Sequence, residues 1–138
     1  MESISIRRAG EADAPAFAEL TNTLGYNAET TVMTSRLRAI LRSDTDLLIV
    51  AVDSRDTVVG WLQAHAAHIV ESGFRIEITG LIVSPAQRRR GAGRALVAEA
   101  ILVRSNIQRE ESHAFYPALG YTATKTQHVY RKPLPPMS

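Results

Sequence analysis

The chain has 138 residues and no cysteine, which sizes it for one domain with its own core and excludes disulfides, thiolate metal sites and a cysteine nucleophile. A net charge of +2 gives no polyelectrolyte field for nucleic acid, so basic residues matter only where they cluster. The N-terminus has no apolar signal core and no run approaches the length of a membrane span, so the expectation is a single cytoplasmic domain over residues 1–138.

Ser3 to Arg8 alternates polar and apolar, the period of a half-buried first strand. Asp13 to Leu24 has helical spacing in Phe17, Leu20, Thr21 and Leu24, with Asp13 as a cap, Pro15 in the first turn and Gly25 as a stop. A second helix is expected from Thr34 or Ser35, with Leu37, Ile40 and Leu41 inward and Arg36, Arg38 and Arg42 outward. Asp46 to Asp53 is a continuous apolar run, the mark of a central strand. Strands Val58–His68 and Phe74–Val83 follow after turn-forming segments, which makes an antiparallel meander. Thr79 and Gly80 interrupt the apolar pattern of the last of these and mark a bulge.

The stretch from Leu81 to Leu96 carries the strongest chemical signal. Leu81, Ile82 and Val83 end a strand, and Ser84 and Pro85 stop it. Arg88, Arg89 and Arg90 add charge, and Gly91 and Gly93 let the backbone turn tightly at the start of a helix. Unpaired amides at a helix start favour an anion, so the segment is expected to cradle a phosphate. It has neither Gly-x-x-x-x-Gly-Lys-Ser/Thr nor Gly-x-Gly-x-x-Gly opening a first βαβ unit, which argues against the common nucleotide motifs.

Arg88-Arg-Arg-Gly91-Ala92-Gly93 resembles the Arg/Gln-x-x-Gly-x-Gly/Ala signature of the GNAT family of N-acetyltransferases. A second block agrees: Val103-Arg-Ser-Asn106, then His113-Ala-Phe115-Tyr116-Pro-Ala-Leu-Gly-Tyr121. The resemblance covers most of the chain, from about Ile4 to Leu134. It implies an α/β (α+β) fold with a central mixed, mostly antiparallel sheet flanked by helices. It also implies acetyl-CoA as co-substrate, without a metal. By the same resemblance, Ile82 and Val83 offer backbone groups to the pantetheine arm, residues 88–93 hold the pyrophosphate, and Asn106 contacts the arm. The loop between the first two helices, with Tyr26 and Asn27, would wall the acceptor side.

One departure concerns the crossover after the fourth strand. A strand at Ile101–Ser105 leaves 17 residues, Ser84 to Ala100, for turn, helix and return. A ten-residue helix covers about 15 Å, against about 20 Å for a six-residue strand. Three arrangements fit: a shortened helix with a displaced fifth strand, a helix running on through Val103, or a second half exchanged in a swapped homodimer. The first is the expectation, followed by a helix from Glu110 to Leu119 and a last strand from Tyr121 to Arg131.

Amide acetylation needs a base for the amine, polarisation of the thioester and an acid for the leaving thiolate. Tyr116 is the candidate acid by its position in the resembled motif, and Glu77 on the fourth strand is the candidate base. His65, His68, His113 and His128 are scattered without metal-ligand spacing, so no metal site is expected. The resulting expectation is transfer of acetyl from acetyl-CoA to a primary amine of a small molecule, aminoglycoside-like among the options, or of a peptide. The alternative is a non-catalytic CoA-binding or dimerisation module. Nucleic acid and membrane are not expected partners.

Overall fold

A computed structural model describes residues 3–87 and 91–110, with side-chain surroundings through Asn106. Its spine is an antiparallel sheet in the order β1-β2-β3-β4, built from Ser5–Arg8, Asp46–Val52, Val58–Ile69 and Gly73–Val83. Short turns join β2 to β3 and β3 to β4 in a meander, whereas the chain passes through two helices between β1 and β2. At the β2–β3 turn, the Asp53 carboxylate accepts from the amides of Arg55 and Thr57, holding its own acidity up and locking the reversal.

Two helices, α1 (Ala14–Asn22) and α2 (Thr30–Leu41), cover one face of the sheet. Phe17, Ala18, Met33 and Leu37 pack there on Leu48, Val50 and Val52. A third helix, α3 (Ala92–Glu110), covers the other face, where Ala92, Leu96, Ala100 and Val103 meet Leu47, Ile49, Leu62 and Ala64. β2 is therefore buried on both sides, which explains its unbroken apolar run. Among the described residues, no helix is long and apolar enough to cross a membrane.

Two sequence expectations change. Helix α2 begins at Thr30, four residues before Thr34, because the turn starting at Thr30 places Met33 in the core beside Leu37. The larger correction concerns the crossover. The shortened helix is not seen: α3 is 19 residues long and runs through Ile101–Ser105, replacing the fifth strand expected there. Ile101 and Val103 resemble a strand locally, but Ala92, Leu96, Ala100 and Val103 share one helical stripe and are all buried. At 1.5 Å per residue the helix is about 28 Å long, enough to cross the sheet. Asn106 consequently sits on a helix, buried, 13 residues beyond Gly93 and about 20 Å from it along the axis. The helix expected from Glu110 to Leu119, the last strand from Tyr121, and Tyr116 itself lie outside the described residues, as do Arg88, Arg89 and Arg90.

Candidate functional site

The site is assembled along β4, an edge of the sheet formed by the described residues. Its strand is irregular at the expected place. Gln63 faces Gly80 and Ala64 faces Ile78, so Thr79 is the extra residue of a bulge. Gly80 is needed there for a second reason. The Trp61 ring lies over it, and a Cβ at position 80 would stand 2.7 Å from that ring. Trp61 in turn stacks on Phe17 of α1, with ring centroids 5.2 Å apart. Two buried polar atoms in this region, the Trp61 indole Nε1 and the Thr21 hydroxyl, have no hydrogen-bond partner among the described residues.

At its C-terminal end β4 leads to the turn. The Ser84 amide bonds the Val59 carbonyl at 2.8 Å, which holds the exit of the strand against β3. A short 3-10 turn, Pro85–Gln87, follows. Gly91 has φ +92, a left-handed conformation that side-chain-bearing residues avoid. The Ala95 amide closes the first helical turn onto the Gly91 carbonyl at 2.9 Å. The amides of Ala92, Gly93 and Arg94 precede it and therefore have no helical acceptor. No described atom lies within 4 Å of where a Gly91 Cβ would stand. Gly93 lies against Val83, which seats the first turn of α3 on the end of β4. Helix-start amides and the positive end of a 19-residue helix dipole suit an anion.

Ile82 and Val83 lie beside this turn, paired with Trp61 and Gly60 of β3. Ile82 points to the α1 face and Val83 to the α3 face. Glu77 lies further back on β4, on the α1/α2 face and half-exposed, with Arg75 Nε 3.5 Å from its Oε1. Six residues of strand, about 20 Å, separate Glu77 from Val83. The turn and Glu77 thus mark the two ends of one strand, whereas Asn106 is carried to the far end of α3, away from the turn.

Sequence inspection missed the neighbours of Glu77. Asp46 faces His65, and His65 faces Glu77, in the registers of β2–β3 and β3–β4. His65 Nδ1 is 3.3 Å from Asp46 Oδ1, and Gln63 Nε2 is 3.5 Å from the same oxygen. Only the pairing register of the meander could have disclosed this row, because the residues are far apart in the chain.

Asn22 clamps the loop between α1 and α2. Its Oδ1 accepts from the Ala28 amide at 2.8 Å and its Nδ2 donates to the Ala28 carbonyl at 3.2 Å. Tyr26 and Asn27 are held in that loop, and Tyr26 is exposed.

Residues 14–121 match the model of the acetyltransferase (GNAT) family. No curated protein matches the sequence. Among solved structures, a GNAT family acetyltransferase of Staphylococcus aureus is 17% identical with a TM-score of 0.66, over 94% of this chain and 99% of that one. The aminoglycoside N-acetyltransferase AAC(6')-Iy, solved in complex with CoA, is 19% identical with a TM-score of 0.67, over 96% of each chain. The aminoglycoside 6'-N-acetyltransferase AAC(6')-Ih from Acinetobacter baumannii is 18% identical with a TM-score of 0.68, over 96% of this chain and all of that one. These likenesses establish the shared fold, and the family match spans well over half of the sequence: the chain belongs to the acetyltransferase (GNAT) family.

Proposed function

We propose that the protein transfers an acetyl group from acetyl-CoA to a primary amine of a small molecule or peptide, by direct attack and without an acyl-enzyme intermediate. One observation carries this reading: the start of a 19-residue helix, with Gly91 in a left-handed conformation before it, stands at one end of a bulged edge strand, and a half-exposed carboxylate stands toward the other.

In this reading the amides of Ala92, Gly93 and Arg94 hold the pyrophosphate, and Arg88, Arg89 and Arg90 supply charge around it. The backbone of Ile82 and Val83 lines the arm along the edge of β4. Acetyl-CoA, when bound, supplies the thioester whose C–S bond is replaced by a C–N bond to the amine. Glu77 takes the proton that the ammonium must lose before the amine can attack, directly or through water. Tyr116 donates a proton to the departing sulfur. Tyr26 and Asn27 contribute to the wall on the acceptor side.

The acceptor is a small molecule or peptide amine rather than a polycation by preference. Aminoglycoside acetyltransferases share the fold at low identity, but the loop carrying Tyr26 and Asn27 has no dense acidic cluster of the kind that would attract such a substrate.

Calorimetry of acetyl-CoA with the wild type and with Gly91→Glu tests the cradle. Binding by the wild type and its loss in a folded variant support the reading, and an amine screen reporting thiol release then tests transfer. Absence of binding to folded wild type overturns it. Binding without transfer to any amine favours the non-catalytic CoA-binding module.

A further inference from the structure

Three side chains stand in a row across three strands on the α1/α2 face: Asp46 on β2, His65 on β3 and Glu77 on β4. Directly opposed residues of antiparallel strands have Cβ atoms about 4.5–5.5 Å apart, so His65 is flanked by a carboxylate on each side. Asp46 Oδ1 lies 3.3 Å from His65 Nδ1. An imidazole that donates Nδ1–H to a carboxylate leaves Nε2 as a proton acceptor. Asp46 is the more buried of the two, with 18% of its side chain exposed against 43% for His65, so the carboxylate anchors and the imidazole remains within reach of water.

We infer that His65, oriented by Asp46, is the proton outlet for Glu77. This inference rests on the acyl-transfer reading, in which Glu77 gains a proton at each turnover and must lose it before the next. Arg75, 3.5 Å from the Glu77 carboxylate, cannot carry that proton because a guanidinium stays protonated. Gln63, beside Asp46, does not titrate. Among the described residues grouped here, His65 alone carries an imidazole, the side chain suited to passing a proton on. On the helical side, the α2 guanidinium of Arg38 is engaged by Glu11. The steps balance from the ammonium form of the substrate: one N–H bond breaks to form O–H on Glu77, that proton passes to His65 Nε2, and His65 releases it to solvent, while the second N–H proton, lost as the C–N bond forms and the C–S bond breaks, replaces the one Tyr116 gives to the thiolate. Asp46 holds the imidazole's orientation.

The experiment has two arms on the full chain. In the first, acetyl transfer to an amine acceptor is measured against pH for wild type, His65→Gln and Asp46→Asn, with acetyl-CoA affinity as the folding control. His65→Gln lowers kcat on the order of ten- to a hundred-fold, changes its pH dependence between roughly pH 5 and 8, and leaves acetyl-CoA affinity unaltered. Added imidazole restores turnover in His65→Ala. A His65→Gln pH profile that superimposes on wild type overturns the relay. In the second, long-range proton–nitrogen NMR reads the His65 tautomer without any turnover. An Nδ1–H form that Asp46→Asn depopulates supports the inference, and an Nε2–H form unaffected by Asp46→Asn overturns it. Loss of Glu77→Gln activity together with an inert His65 leaves the base reading standing and removes the relay alone.

Discussion

Gly80 exists as a glycine because Trp61 occupies the space a side chain would need. The nearest ring atom would be 2.7 Å from an added Cβ, and a second ring atom 2.9 Å. Gly80→Ala must therefore displace a tryptophan that is also stacked on Phe17. The expected cost is about 1–3 kcal/mol, read as a lower midpoint in urea with an unchanged slope. A variant as stable as wild type would mean the ring swings aside freely.

Arg7 and Asp13 form the charged joint between β1 and the start of α1. Arg7 Nη1 and Nη2 each donate at 2.9 Å to separate oxygens of Asp13, and the Gly10 amide donates at 2.8 Å. Burial works against the Asp13 charge, but the Arg7 hydrogen bonds, the Gly10 amide and the Arg7 charge outweigh it and hold the carboxyl below its ordinary value. The stabilisation is thus present above the unfolded carboxylate range, about pH 4, and is lost as pH falls through the lower folded value. Asp13→Asn should cost about 1–3 kcal/mol at neutral pH. Acid denaturation series should show wild type and variant converging in stability below about pH 4.

At the proposed anion cradle, φ of +92 at Gly91 makes substitution graded rather than all-or-none. Asparagine tolerates the left-handed region better than alanine. Acetyl-CoA affinity should fall in the order wild type, Gly91→Asn, Gly91→Ala, Gly91→Glu, as measured by calorimetry. An equal loss in all three variants would point to lost folding rather than a strained cradle.

The continuous third helix makes a packing prediction of its own. Leu96 is fully buried between α3 and the sheet, so Leu96→Ala should cost about 2–5 kcal/mol. Arg104, exposed on the same helix, should tolerate alanine with a change within about 0.5 kcal/mol. Proline at Leu102 would cost roughly 3 kcal/mol or more in a helix interior, measurable by denaturation and by loss of helical circular dichroism.

Much of the frame could be read from residue order. The meander was visible because β2 is uniformly apolar and each strand ends in turn residues, and the bulge at Thr79 because two residues broke an apolar pattern. The turn between β4 and α3 was visible because glycine and proline punctuate the end of β4. The fate of Ile101–Ser105 was not, since a short β-branched run reads alike in a buried strand and a buried helix. The choice is made by the stripe from Ala92 to Val103, which lies over one sheet face as a unit. The row of Asp46, His65 and Glu77 stayed hidden for a different reason, because it depends on the alignment of three strands and not on any local spacing.

The double hydrogen bond from Asn22 to Ala28 closes the loop on a side chain instead of on the residues inside it. Residues 23–27 are thereby relieved of holding their own ends together. Their sequence can be exchanged as a cassette between two fixed posts, so libraries at Tyr26 and Asn27 would test the proposed acceptor wall while the sheet and Glu77 stay untouched.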